Sequence, residues 1–264
     1  MNYWRERSVP YRPGQKTPFK VSRSKIELFK QCPRCFWLDV RLKIKRPEGP
    51  PFNINKAIDE LFKKEFDGYR LKGEAHPLMV AHNIKAKPFA HEKLEDWRET
   101  FVGVQHMHEP TNLLVFGGID DVWVDDETGE LIVVDYKATA KDKEVSIDSG
   151  WQISYKRQVE VYQWLLRQNG LRVSNTAYFV YANGRSDLDA FNDRIEFRTK
   201  VIPYEGSDSW IEPTLHTMKT CMDGEMPGMG ESIMGGECEF CAYARERTKL
   251  TLAALQAQKK IKQR

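Results

Sequence analysis

The chain is expected to fold as an α/β domain in which helices flank a central mixed β-sheet. Three observations predict it. Leu131-Ile132-Val133-Val134-Asp135-Tyr136-Lys137 is an apolar run of strand length, continuous enough to be buried on both faces, so other elements must cover both its sides. Asp126-Glu127-Thr128-Gly129, just before it, reads as a hairpin turn. Segments with helical periodicity lie on either side of this centre, at about 54–67 and 151–168.

Taken in order, residues 1–20 read as an irregular basic arm with prolines at 10, 13 and 18. Ser22-Arg23-Ser24 starts a helix that leads with Ile26, Leu28 and Phe29 into Cys32-Pro33-Arg34-Cys35, and Pro47 to Pro51 breaks the chain. The helix at 54–67 places Ile54, Ala57, Ile58, Leu61, Phe62 and Phe66 on one stripe. Residues 68–112 are mixed, with a short helix around 91–100. Leu113-Leu114-Val115-Phe116 is a strand, which Ile119 to Val124 continues or pairs with. After the buried strand comes the helix at 151–168, with Trp151, Tyr155, Val159, Tyr162 and Leu166 at helical spacing. Strands at 175–182 and 194–202 follow, then a helix at 208–222, a Gly/Met-rich linker at 224–236 and a basic helix at 245–264. These elements form one domain, 21–244, between the basic arm and the basic helix.

Of the 264 residues, 41% are hydrophobic, enough for a core and too many for general disorder. No apolar stretch is long enough for a membrane span, and no apolar region follows Met1-Asn2-Tyr3-Trp4-Arg5-Glu6-Arg7, so a cytoplasmic protein without a secretory signal is expected. The net charge of +3 is unevenly spread. Residues 1–30 and 245–264 each carry +6, which leaves −9 for the middle (3 minus 12). Basic ends around an acidic body suit a polyanion partner and a carboxylate-rich site, or simply two solvated termini.

Five cysteines in such a chain point to metal or redox chemistry rather than disulfides. Four form two CxxC pairs, Cys32/Cys35 and Cys238/Cys241, leaving Cys221 over. Each pair supplies two adjacent corners of a tetrahedron, so a shared site would clip the two ends of the chain together.

The central strand carries the chemistry. Asp135 and Lys137 share one face and Tyr136 takes the other. Fifteen residues upstream, Gly117-Gly118-Ile119-Asp120 ends a neighbouring strand and lets Asp120 converge on Asp135. Asp121 would take that place if the strand ran in the other register. Two carboxylates held that close need a cation between them, and oxygen ligands suit Mg²⁺ or Mn²⁺. Lys137 beside such an ion could orient a water and stabilise charge on a phosphoryl group. Gln158 and Tyr162, four residues apart on one helix face, can reach the same place. His106-Met107-His108 has no second half and reads as a loop or strand-edge pair.

In order and spacing these motifs resemble the PD-(D/E)XK nuclease superfamily, and within it the RecB-like group that includes CRISPR-associated RecB-like exonucleases. The resemblance implies a restriction-endonuclease-like core, with Asp120 and Asp135 binding the metal together with the backbone carbonyl of Tyr136. It also implies that Lys137 activates water while Gln158 and Tyr162 position the lysine and the DNA. Two departures stand out. Asp59 occupies the place of the group's usual histidine ligand, as a further oxygen ligand or as a solvated helix acid. The group's iron–sulfur members take one cysteine from the amino-terminal side and three from the carboxy-terminal side, whereas Arg247 stands here near the last position. Cys32, Cys35, Cys238 and Cys241 would then bind a [4Fe–4S] cluster, or zinc, as a two-plus-two set. The function the resemblance implies is that of a metal-dependent DNA nuclease, an exonuclease acting on single strands or duplex ends. The alternative is a non-catalytic DNA-binding subunit of a repair or CRISPR-type complex.

Overall fold

A computed structural model describes residues 9–231 and 236–262. The first eight residues of the expected basic arm, four residues of the Gly/Met-rich linker and the last two residues of the chain lie outside the described residues. In chain order the elements are β1 (Phe19–Ser22), α1 (Arg23–Gln31), α2 (Pro33–Leu42), α3 (Asn53–Lys72), α4 (Pro77–Ala81), β2 (Ala86–Pro88), α5 (Leu94–Arg98), β3 (Val104–His108), β4 (Leu113–Gly117), β5 (Asp121–Asp125), β6 (Leu131–Thr139), α6 (Ile153–Gln168), β7 (Thr176–Gly184), β8 (Phe197–Glu205), α7 (Ile211–Asp223) and α8 (Glu239–Lys262). Among the described residues no helix is long and apolar enough to cross a membrane.

These elements divide into two compact units. The larger comprises Pro18–Arg23 and Gly49–Thr214 and holds the sheets. Its five-stranded sheet runs β2-β5-β6-β7-β8, antiparallel except for the parallel β6–β7 pair. The β5–β6 hairpin turns at 126–129, where the Asp125 carboxylate accepts from the Glu127 and Thr128 amides. A second sheet, β1-β4-β3, pairs β1 parallel to β4 and β3 antiparallel to it.

Helices cover both faces of β6, as its apolar run requires. On one face Phe62 and Phe66 of α3 pack with Trp123, Val134 and Tyr136; Phe62 stacks on Tyr136 at 5.0 Å and Phe66 on Trp123 at 5.5 Å. Each buried ring contributes on the order of 1.5–3 kcal/mol. α6 lies against β3, β4 and β6 and turns Gln158 and Tyr162 inward.

Two expectations are corrected. The segment 119–124 neither extends β4 nor pairs with it: β4 ends at Gly117, and β5 begins at Asp121 in the other sheet. The apolar stripe of α3 is narrower than its sequence suggests. Phe62 and Phe66 are buried, while Ile54 and Leu61 are 56% and 62% exposed.

The smaller unit consists of Ser24–Glu48 and the described parts of Met1–Thr17 and Leu215–Arg264. Here Cys32 caps α2, its sulfur accepting from the Cys35 amide, with Pro33 in the first turn where no amide donor is needed. Arg41 and Trp37 of α2 hydrogen-bond the Met222 and Gly224 carbonyls at the end of α7.

Candidate functional site

In the larger unit, two adjacent aspartates at the start of β5 point to opposite sides. Asp121 is fully buried on the α3 side, where its carboxylate accepts from Arg70 at 2.5 Å, Arg98 at 3.1 Å and the Tyr136 hydroxyl at 2.7 Å. It is a satisfied structural charge. Asp120 turns the other way and its Oδ2 accepts from the Tyr136 amide at 3.0 Å. Arg98 pins this turn from behind, donating to the Asp120 carbonyl and to Asp67 through both terminal nitrogens.

On the same side of β6, Asp135 is 0% exposed. Its Oδ2 is ion-paired with the Lys137 ammonium, and its Oδ1 has no hydrogen-bond partner. Lys137 Nζ also lies 3.5 Å from Gln158 Oε1 and 4.6 Å above the Tyr155 ring. Gln158 Nε2 in turn donates to the Tyr162 hydroxyl at 3.1 Å. Gly117 makes room for that tyrosine, since a Cβ there would sit 2.6 Å from the ring. From α3, Asp59 pairs with Lys63 at 2.7 Å, and Lys63 Nζ reaches 4.0 Å from Asp120. The other oxygen of Asp59 is buried without a partner.

Electrostatics records the crowding. Burial, and next the Asp135 charge, push the Asp120 carboxyl from 3.8 up to about 7. Burial and then Asp120 raise Asp59. Burial works to neutralise the Lys137 ammonium, but Asp135 and Asp120 outweigh it and hold its pKa above the ordinary lysine value. Buried carboxylate oxygens without partners are uncommon, and one each at Asp135 and Asp59, with Asp120 alongside, fit the hard oxygen set of a divalent cation.

The structure therefore brings Asp59, Asp120, Asp135, Lys137, Gln158 and Tyr162 into one constellation. Sequence reasoning missed Lys63 and Arg98. Lys63 had a signal in its four-residue spacing from Asp59, whereas nothing local marked Arg98. His108, on edge strand β3, is held by Thr111 and Glu212.

In the smaller unit the four paired cysteines are buried together, with all four sulfurs within 4.8 Å of one another. Burial raises the Cys32 thiol, but the amides of Cys35 and Gly230 outweigh it and bring it down to about 7. Cys221 stands apart from this group, and burial pushes its thiol up to about 11.

The model of one protein family, described as the PD-(D/E)XK nuclease superfamily, matches residues 20–245. No curated protein gives a significant match. Among solved structures, the crystal structure of SSO0001 is similar over 78% of this chain and 78% of that chain, at 17% identity and a TM-score of 0.35. A family match that runs through nearly the whole chain, and through the segment where the two aspartates and the lysine meet, establishes the lineage: the chain belongs to the PD-(D/E)XK nuclease superfamily.

Proposed function

We propose that the protein is a divalent-metal-dependent deoxyribonuclease of the RecB-like group that hydrolyses phosphodiester bonds, acting as an exonuclease on single strands or duplex ends in the cytoplasm. The observation that carries this reading is the buried carboxylate of Asp135, one oxygen paired with Lys137 and the other without a partner, beside Asp120. Asp120, Asp135 and the Tyr136 backbone carbonyl would hold Mg²⁺ or Mn²⁺, with Asp59 as a further acid. When bound, the ion polarises a phosphoryl oxygen and makes water more acidic.

In the cation-free site the two carboxylates favour the charged form of Lys137. Beside the bound ion it would orient water and stabilise the charge growing on the phosphate. Gln158 accepts from Lys137 and donates to Tyr162, so the pair limits where the ammonium can point. Basic segments elsewhere in the chain would supply phosphate contacts and make binding salt-sensitive. A repair or CRISPR-type complex is the setting in which protein partners are expected.

The test is cleavage of end-labelled single- and double-stranded DNA by wild type, Asp135→Ala and Lys137→Ala, with and without Mn²⁺. Cutting that requires the ion and falls at least about 100-fold in both variants is expected. Wild type that binds all these DNAs and cuts none would instead favour the non-catalytic DNA-binding subunit. Variants that cut as well as wild type would remove the constellation from the mechanism.

A further inference from the structure

The sulfurs of the four-cysteine group sit at distances that discriminate between the ions they could hold. Cys35 Sγ is 3.6 Å from Cys241 Sγ and 3.8 Å from Cys238 Sγ, and Cys32 Sγ is 3.7 Å from Cys241 Sγ. Four thiolates around one zinc ion at about 2.3 Å define a tetrahedron with edges of about 3.8 Å. A [4Fe–4S] cluster binds each thiolate to a different iron, with the whole cluster between them, so its thiolates cannot stand in van der Waals contact. We propose that Cys32, Cys35, Cys238 and Cys241 form a mononuclear zinc centre, with Arg46 as its counter-charge, in place of the iron–sulfur cluster that the RecB-like resemblance implies.

The surroundings fit a closed tetrathiolate. All four corners come from the protein, which leaves no position for water and makes the centre structural rather than catalytic. Four thiolates on one divalent ion carry two net negative charges, and burying them requires donors and a cation. The Cys32 sulfur accepts from the amides of Cys35 at 3.4 Å and Gly230 at 3.3 Å. Only glycine permits the second contact, because a Cβ at 230 would lie 2.6 Å from the Cys32 Cα. Arg46 donates to the Cys238 sulfur at 3.4 Å. Its guanidinium is held in place by Gln31 at 2.7 Å and by the Phe240 ring, 4.6 Å from the ring centre. A site of this kind binds zinc more tightly than ferrous iron.

This centre is independent of the nuclease reading, and its test needs no DNA. Full-length protein purified without oxygen is analysed for metal, for acid-labile sulfide and for visible absorption. About one zinc per chain with neither iron nor sulfide is expected, and cobalt(II) exchanged into the site should give the intense colour of a tetrahedral thiolate complex. Iron and sulfide in equal number, or a single iron, would overturn the proposal. Because removing a cysteine also removes a structural ligand, the second measurement uses Arg46→Gln, which retains all four. Competition with a chromophoric chelator should show zinc held roughly 10- to 100-fold more weakly than in wild type. Unchanged affinity would remove Arg46 from the centre.

Discussion

Replacing Asp120 with asparagine should stabilise the cation-free protein, increasingly so as the pH rises. Burial and the neighbouring Asp135 raise the Asp120 carboxyl from 3.8 to about 7 in the folded state. A group shifted in this direction holds its proton more tightly folded than unfolded. Its stabilising contribution is therefore complete below about pH 4, declines as the pH rises and is gone above about pH 7. From pH 5 to pH 7 the loss is close to two pH units at about 1.36 kcal/mol each, or roughly 2 to 3 kcal/mol. Asparagine has no proton to lose, so the variant's advantage over wild type should grow by about that amount between pH 5 and pH 8. Urea denaturation of both proteins across this range measures it, in buffer free of Mg²⁺ and Mn²⁺ and without a strong chelator, so that any metal held by the four cysteines stays in place. Titrations of groups that Asp120 does not influence cancel in the difference. An advantage that stays constant with pH, or shrinks towards pH 8, would refute the placement of Asp120 in a crowded, buried acid pair. Added Mg²⁺ or Mn²⁺ should stabilise wild type and leave the variant nearly unmoved.

Three other substitutions separate support from chemistry. Tyr136→Phe removes the 2.7 Å bond to Asp121 and should cost about 1.5–3 kcal/mol in denaturation, while cleavage per folded molecule stays within a few-fold; a folded but inactive variant would count against this division. Arg98→Ala leaves Asp121 with one fewer cation in a buried network and should cost about 3–5 kcal/mol, whereas a loss below about 1 kcal/mol would mean that water replaces the arginine. Gly117→Ala drives a methyl group to 2.6 Å from the Tyr162 ring, so it should cost about 1–3 kcal/mol and reduce cleavage. Its stability cost should shrink in a Tyr162→Ala background, and equal costs in the two backgrounds would show that the pair does not touch.

The parts of the fold that were legible in the sequence have strong periodicity. β6 with its hairpin, α3 and α6 were each long enough to show a pattern, and Asp135 and Lys137 could be placed from strand alternation alone. The choice between Asp120 and Asp121 rested on the glycine spacing. The physical reason for it became visible only with Arg70 and Arg98, which claim Asp121 from distant parts of the chain. Short elements escaped for the opposite reason. β1 is four residues with basic neighbours, and β2 is three. The change of sheet between β4 and β5 occurs across three residues whose apolar pattern suits either continuation. Asp59 could be located on its helix, but its pairing with Lys63 and its approach to Asp120 depend on how α3 packs against the sheet.

The cysteine centre also fixes an order of events during synthesis. Cys35 and Cys241 are 206 residues apart, so at 5–20 residues per second the ribosome needs about 10 to 40 s to supply the second pair after the first. During that time Cys32 and Cys35 are half a ligand set, open to oxidation or to capture of a wrong ion. All of Gly49–Thr214 emerges in the same interval. The larger unit can thus complete its sheets while the smaller one still lacks its second cysteine pair.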